Sequence, residues 1–176
     1  STSYTYQVRA TNSVGDSAPS ATASGTTFNA NATTTYLSDL TWTSATAGFG
    51  TVQKDKSVNG NAIKLRGKTY AKGIGANGAA QLPRSVVVLP LNKQYKKFKA
   101  LVGVDAATNG QGSVRFRISD GKKTIWDSQD MTYYSDPKEV DLDVSDAIIL
   151  MLWVGDGDDG EKNDIANWAN ARLELK

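Results

Sequence analysis

The sequence contains no histidine and no cysteine. Without histidine there is no Ser-His-Asp or Cys-His arrangement, no imidazole general base and no histidine-ligated zinc or iron. Without cysteine there is no thiol nucleophile, disulfide or iron–sulfur cluster. A metal in this chain is therefore held by oxygen, which favours calcium or magnesium. Long apolar runs are lacking too: Ala147 to Val154, the longest, is eight residues, against the roughly 20 of a membrane helix. An excess of charge of one sign is also missing. Twenty basic and 18 acidic residues leave a net +2, too mild to steer nucleic acid, and the densest basic patch (Lys93, Lys96, Lys97, Lys99) reads as a solvated strand edge. Neither nucleic acid nor membrane is an expected partner. With no initiating Met and no signal sequence, the chain reads as a piece of something larger.

What is present fits a soluble globular protein, with 39% hydrophobic and 22% charged residues. The sets Ile63/Leu65, Phe98/Ala100/Val102/Val104, Val114/Phe116/Ile118 and Val140/Leu142/Val144 alternate with period two. Val86 to Leu89 and Ala147 to Val154 are continuous apolar runs, which suit strands covered on both faces. Asn59-Gly60, Asn109-Gly110, Asp120-Gly121 and Asp136-Pro137 supply turn chemistry between them. No window of ten or more residues carries a helical stripe. The expected fold is all-β, an antiparallel β-sandwich of the jelly-roll kind.

The first 27 residues stand apart. Tyr4, Tyr6, Val8 and Ala10 alternate with polar residues, Asn12 to Gly15 forms a turn, and Pro19 interrupts the second extended piece. This run resembles the last two strands of a fibronectin type III domain. It is a C-terminal remnant only, because such a sandwich needs about 100 residues to bury both sheets. Residues 28–35 are small and polar and read as a linker, and 36–176 is the main domain.

Three features carry candidate chemistry. Asp156, Asp158, Asp159, Glu161 and Asp164 crowd a Gly-rich loop. Hard oxygen ligands on a flexible backbone suit calcium, with Asp156, Asp158 and Asp159 as ligands, although the EF-hand spacing fails and a solvated turn explains the same residues. The loop from Asp105 to Ser113 reads as a hairpin connection, with Asp105 available as the wall of a site. Aromatics matter because sugars stack their C–H faces on rings while their hydroxyls take fixed polar partners. Trp42, Phe49, Tyr70, Trp126, Tyr133, Tyr134, Trp153 and Trp168 all qualify, though most aromatics of a sandwich are core. Trp126 and Trp153 lie inside strand patterns and are expected to be buried. Trp168, amid Asn163, Asp164, Asn167 and Asn170, has the most ligand-like company. Eighteen carboxylates make some glycosidase-like pair inevitable, so no catalytic pair is assigned.

Six motifs recur in order: Tyr36-Leu37-Ser38-Asp39-Leu40-Thr41-Trp42, Ser44 to Gly50, Lys54-Asp55-Lys56-Ser57, Tyr70-Ala71-Lys72-Gly73-Ile74-Gly75, Val102-Gly103-Val104-Asp105, and Trp168 to Leu173. Together they resemble the NPCBM module, carbohydrate-binding module family 51, across residues 36–175. The resemblance implies a β-sandwich attached to secreted bacterial glycoside hydrolases, binding galactose-type sugars and able to hold a structural calcium. The departures fall in loops. Ala76-Asn77-Gly78 stands where Thr-His-Ala is usual, Asp164-Ile165-Ala166-Asn167-Trp168 where Asp-His-Ala-Asp-Trp is usual, Ala106 where a second Asp is usual and Phe49 where a Trp is common.

The expectation is a non-catalytic module that attaches a secreted, extracellular bacterial polysaccharide-degrading enzyme to its glycan. Its partners would be a poly- or oligosaccharide and the catalytic domain of the same polypeptide, with the module itself a monomer. Asn77, Asp164, Asn167 and Trp168 are the expected sugar contacts, with Asp105 beside them. Calcium is the expected cofactor. The alternative is a structural or adhesion module without a sugar site, marked by collapsed 76–78 and 163–168 loops and a buried Trp168.

Overall fold

The structure is a computed structural model that describes residues 3–26, 34–78, 85–157, 160 and 162–176. Contacts divide the chain into two compact units, 1–33 and 34–176. In the first, β1 (Ser3–Tyr6) pairs antiparallel with β4 (Ala23–Thr26), and β2 (Thr11–Asn12) with β3 (Gly15–Asp16). The Asn12 carboxamide closes the turn by accepting the backbone N–H groups of Val14 and Gly15. Tyr4, Tyr6, Val8 and Val14 are 47 to 93% exposed, so among the described residues this ribbon has no core of its own.

The second unit begins at β5 (Thr34–Tyr36), which pairs with the C-terminal strand. Thr34 and Thr35, expected in the linker, thus belong to the sandwich, while 28–33 lie outside the described residues. The remaining strands in order are β6 (Ser44–Thr46), β7 (Gln53–Lys54), β8 (Ile63–Leu65), β9 (Lys68–Tyr70), β10 (Gly73–Asn77), β11 (Ser85–Pro90), β12 (Tyr95–Val104), β13 (Ser113–Ser119), β14 (Thr124–Thr132), β15 (Lys138–Asp143), β16 (Ile149–Asp156) and β17 (Ile165–Leu175). One sheet runs β15-β12-β17-β10-β7, with β5 beside β17, and the other runs β14-β13-β16-β11-β6. Every pairing among the described residues is antiparallel. The main core lies between the sheets and holds the alternating sets read from sequence on β12, β13 and β15, with Leu152 and Trp168 packed beside them.

Part of the first sheet's outer face is covered as well. The β8–β9 hairpin folds over it and closes a second cluster of Ile63, Leu65, Tyr70 and Ala169. Next to it Gly75 lies flat under residues 56–57, where an added Cβ would come within 2.3 Å of the Lys56 carbonyl oxygen. Beside this contact, the Lys72 ammonium bridges the carboxylates of Asp39 and Asp55, at 3.0 Å from the latter.

The five-stranded sheet behaves differently. On β16 the inner Leu150, Leu152 and Val154 are buried, while the alternate Ile149, Met151 and Trp153 are only half-buried. The apolar runs therefore do not mark strands covered on both faces. They pair an inner core face with an apolar outer one, and Trp153, expected to be buried, stands on the outer side. Trp126 packs partly against the core. On the same outer face Asp127 accepts from Arg115 Nε at 2.8 Å, Arg117 Nε at 2.9 Å and the Gln129 backbone at 2.9 Å. Burial raises the Asp127 carboxyl, but the hydrogen bonds from Arg115, Gln129 and Arg117 outweigh it and hold the pKa at about 2, below the usual 3.8.

Gly75→Ala forces backbone apart and should cost about 1–3 kcal/mol, a fall of several degrees in Tm by calorimetry; an unchanged Tm would show that residues 56–57 are not held against β10. Asp127 has a lowered folded pKa, so its contribution is complete above about pH 4 and disappears as pH falls toward 2. The stability gap between wild type and Asp127→Asn, measured by urea denaturation, should be constant from neutral pH to about 5 and then shrink. A gap that widens on acidification would contradict this.

Candidate functional site

Strand register brings the candidate residues to one end of the first sheet. β17 lies between β10 and β12, so Asn77 faces Ile165 across one ladder, while Gly103 and Val104 face Asn167 and Ala166 across the other. Chain continuity does the rest. The Asp105 backbone N–H donates to the Ile165 carbonyl at 2.8 Å, and Gly78 N–H to the Asp164 carbonyl at 2.7 Å. The loop from 105 to 112 is no hairpin. It carries the chain from β12 in one sheet to β13 in the other, through a 3-10 turn at Ala106–Thr108 that ends in left-handed Asn109.

Asp105 caps that turn. Its Oδ1 accepts Ala107 N–H at 2.7 Å, and its Oδ2 accepts the Asn167 side-chain amide and, more weakly at 3.4 Å, Lys64 N–H from the covering hairpin. One carboxylate thus ties β17, the 105–112 loop and the β8–β9 hairpin together. Asp164 does the same for the next loop, its Oδ1 accepting Ser113 N–H at 3.1 Å. Gly112 allows this approach: a Cβ there would sit 2.2 Å from the Asn163 carbonyl oxygen. The Asn163 amide donates to Gln111 and closes the two loops over the pair.

Burial corrects the expected roles. Asp164 and Asn167 are 0% exposed, Asp105 and Trp168 1%, and Asn77 5%. Four of the five are polar residues gathered at this end of the sheet, and Asp105, Asp164 and Asn167 hold loops in place rather than face solvent. Trp168 is not with them. It lies on the opposite side of β17, edge-on to Phe116 with ring centroids 5.0 Å apart and tilted against Phe98 at 6.5 Å. Alternation along β17 sends Asn167 outward and Trp168 inward, so neighbours in sequence lie on opposite faces of the sheet.

Of the calcium candidates, Asp158 and Asp159 lie outside the described residues. Asp156 is half-buried at the end of β16, opposite Val114. Among the described residues no three acidic side chains gather where they could share a cation, so Asp156 alone does not make a site.

Exposed aromatics mark the same end of the sandwich. β6 runs beside the start of β11, with Thr46 opposite Val86, and β7 pairs with β10 at Gln53 and Gly75. The 47–52 loop therefore turns at the end where Asn77 and Asp164 lie, and it carries Phe49, 76% exposed. Tyr134, 71% exposed, sits against the 105–112 loop, its hydroxyl 3.0 Å from where a Gly110 Cβ would be. Sequence reasoning ranked Trp168 above both, because carboxamide neighbours are visible in sequence and side-chain direction at a strand end is not.

The sequence profile of the NPCBM/NEW2 domain matches residues 33–174. Among solved structures, a CBM51 module from Clostridium perfringens GH95, in complex with methyl-galactose, is 34% identical with a TM-score of 0.72, over 80% of this chain and 99% of that one. The CBM51-2 and INT domains of Clostridium perfringens ZmpB, in complex with GlcNAc, are 30% identical with a TM-score of 0.74, over 98% of this chain and 37% of that one. Among curated proteins, alpha-1,3-galactosidase B of Akkermansia muciniphila is 29% identical over 122 residues, 69% of this chain, and a putative endo-alpha-N-acetylgalactosaminidase of Renibacterium salmoninarum is 27% identical over 146 residues, 79% of this chain. The chain spans only 15% and 9% of the length of those two proteins. Matched by the family profile over nearly its whole second unit, the chain belongs to the NPCBM/NEW2 domain family.

Proposed function

We propose that the chain is a non-catalytic carbohydrate-binding module of a bacterial, extracellular glycan-degrading enzyme. The observation that carries this reading is the likeness, over the whole sandwich, to two modules solved with methyl-galactose and with GlcNAc. The binding end would be the loop end, with Phe49 as the ring on which a sugar face stacks. The buried Asp105, Asn167 and Asp164 would act beneath it, fixing the loops so that little ordering cost remains for the bound state. Asn77 stands in the position of a family His and Asn167 in that of an Asp, so the buried hydrogen bonds that shape the loop end differ from the family's. A site built on such partners is sensitive to their exchange, and the galactose preference is not carried over.

The reading as a structural or adhesion module draws on the burial of Trp168. That burial follows from alternation on β17 and concerns the core, so it does not bear on whether the loop end binds. Affinity electrophoresis through gels containing soluble polysaccharides, with calcium present, separates the two. Retardation by at least one polysaccharide is expected, and retardation by none would remove the carbohydrate-binding reading. Phe49→Ala, at an exposed position, should keep the Tm and weaken binding about tenfold, the scale of losing one anchor.

We also propose one structural calcium on the 156–159 loop, with Asp156, Asp158 and Asp159 as its ligands. Binding to the folded state alone raises stability in proportion to the logarithm of ligand over Kd. Chelation should therefore lower the Tm by several degrees and added calcium restore it, whereas a Tm indifferent to chelator would remove the metal.

A further inference from the structure

The outer face of the five-stranded sheet is not explained by the loop-end reading. Strand register lines up one residue from each strand across it: Asp127 opposite Arg117, Arg117 opposite Trp153, Trp153 opposite Val86, and Val86 opposite Thr46. The next row holds Ser119, Met151, Val88 and Ser44. At about 4.8 Å between strands, five strands make a row roughly 19 Å long, longer than a single sugar ring.

Two groups in this row, Arg117 and Trp153, still have valence to spare. Arg117 uses only Nε, on Asp127 at 2.9 Å; among the described residues nothing takes its terminal Nη1 and Nη2, and its side chain is 40% exposed. The Trp153 Nε1–H likewise has no protein acceptor among the described residues, whereas the Trp42 indole N–H is spent on the Leu37 carbonyl. Arg115, held by Asp127 and near Asp130, flanks the row. Two guanidiniums stand against two carboxylates, so the face is close to neutral. An indole beside a guanidinium fork with two free parallel donors is the combination that meets a sugar ring and its adjacent hydroxyls. A protein-docking patch would instead place its charges at the rim of an apolar centre, but here the Arg–Asp pair lies on the strands next to the Trp and the row ends in hydroxyl side chains.

We propose that this sheet face is a second glycan site, on which an extended neutral polysaccharide chain lies across the strands, stacked on Trp153 and hydrogen-bonded to Arg117 and Asp127. It rests on the carbohydrate-binding reading but is distinct from the loop end. A loop-end site for a terminal sugar saturates with a monosaccharide, whereas a row of this length gains contacts as the chain grows.

The test is affinity electrophoresis and calorimetry on the whole chain with neutral soluble β-glucan, xylan and galactan, and with their oligosaccharides from the monosaccharide upward. Wild type should bind longer oligomers more tightly than monosaccharide. Trp153→Ala and Arg117→Gln should each weaken polysaccharide binding about tenfold, Trp153→Phe should recover part of it, and polygalacturonate should not retard the chain. Thermal melts check folding, and if Trp153→Ala is unstable, Arg117→Gln at its exposed position carries the test. Polysaccharide binding unchanged in both variants would overturn the sheet-face site and leave the loop-end reading standing. No binding by wild type to any polysaccharide would remove both. A solution dimer in sedimentation that Trp153→Ala dissolves would mark the face as a contact between copies and overturn the proposal.

Discussion

The structure depends on burying both faces of β17. Its inner residues Ala166, Trp168, Ala171 and Leu173 enter the main core, while Asn167 and Ala169 on the outer side lie under the β8–β9 hairpin. Where it is covered on both sides, at residues 166–169, the strand cannot leave polar groups to water, and the Asn167 Oδ1 is still left without a partner among the described residues. The Asn167 amide finds Asp105, and Asp105 in turn collects the 105–112 loop and the hairpin backbone. Removing one partner strands the other, which costs more than the bond contributes. Loop conformation at this end of the sandwich is thereby coupled to the placement of the central strand.

That coupling explains which motifs the sequence made legible. The residues carrying the family resemblance are mostly those that hold β17 and β10 in place. Asp39, Asp55 and Lys72 form one ionic cluster, Gly73 donates its N–H to Asp55 at 3.0 Å, and Gly75 lies under residues 56–57. Fixed geometry leaves few residue choices, so such positions read clearly. The all-β class and the alternating core sets were legible for the same reason: period two is a direct consequence of the pleat.

The site was legible in part. Asn77, Asp105, Asp164 and Asn167 do converge, but their burial could not be read, because the covering hairpin and the loop closure by Gln111 and Asn163 are tertiary events. Trp168 was misplaced by one residue of alternation, the smallest error a strand allows and one that exchanges its faces. Trp153 was misread in the opposite sense. A run of eight apolar residues suggested two covered faces, yet among the described residues the outer Ile149, Met151 and Trp153 pack against no part of the core. Long-range pairing with β11 and β13 decides this, and only the register shows Arg117 beside Trp153.

The two faces differ in how their chemistry is maintained. The loop end relies on buried carboxylates accepting from backbone and amide groups, so its shape changes if any of several loops moves. The sheet face relies on ladder register, which the main core enforces through Leu152, Val154, Phe116 and Ile118 on the reverse side of the same strands. Its ionic group is equally constrained, since hydrogen bonds from two arginines and a backbone N–H keep Asp127 charged down to about pH 2. Weak contacts on two faces of one module can hold a polymer together through effective concentration rather than through either contact alone. On the two-face proposal, the loop end can differ in its polar partners, as with Asn77 in the place of a family His, without detaching the module, provided that the register-locked face binds.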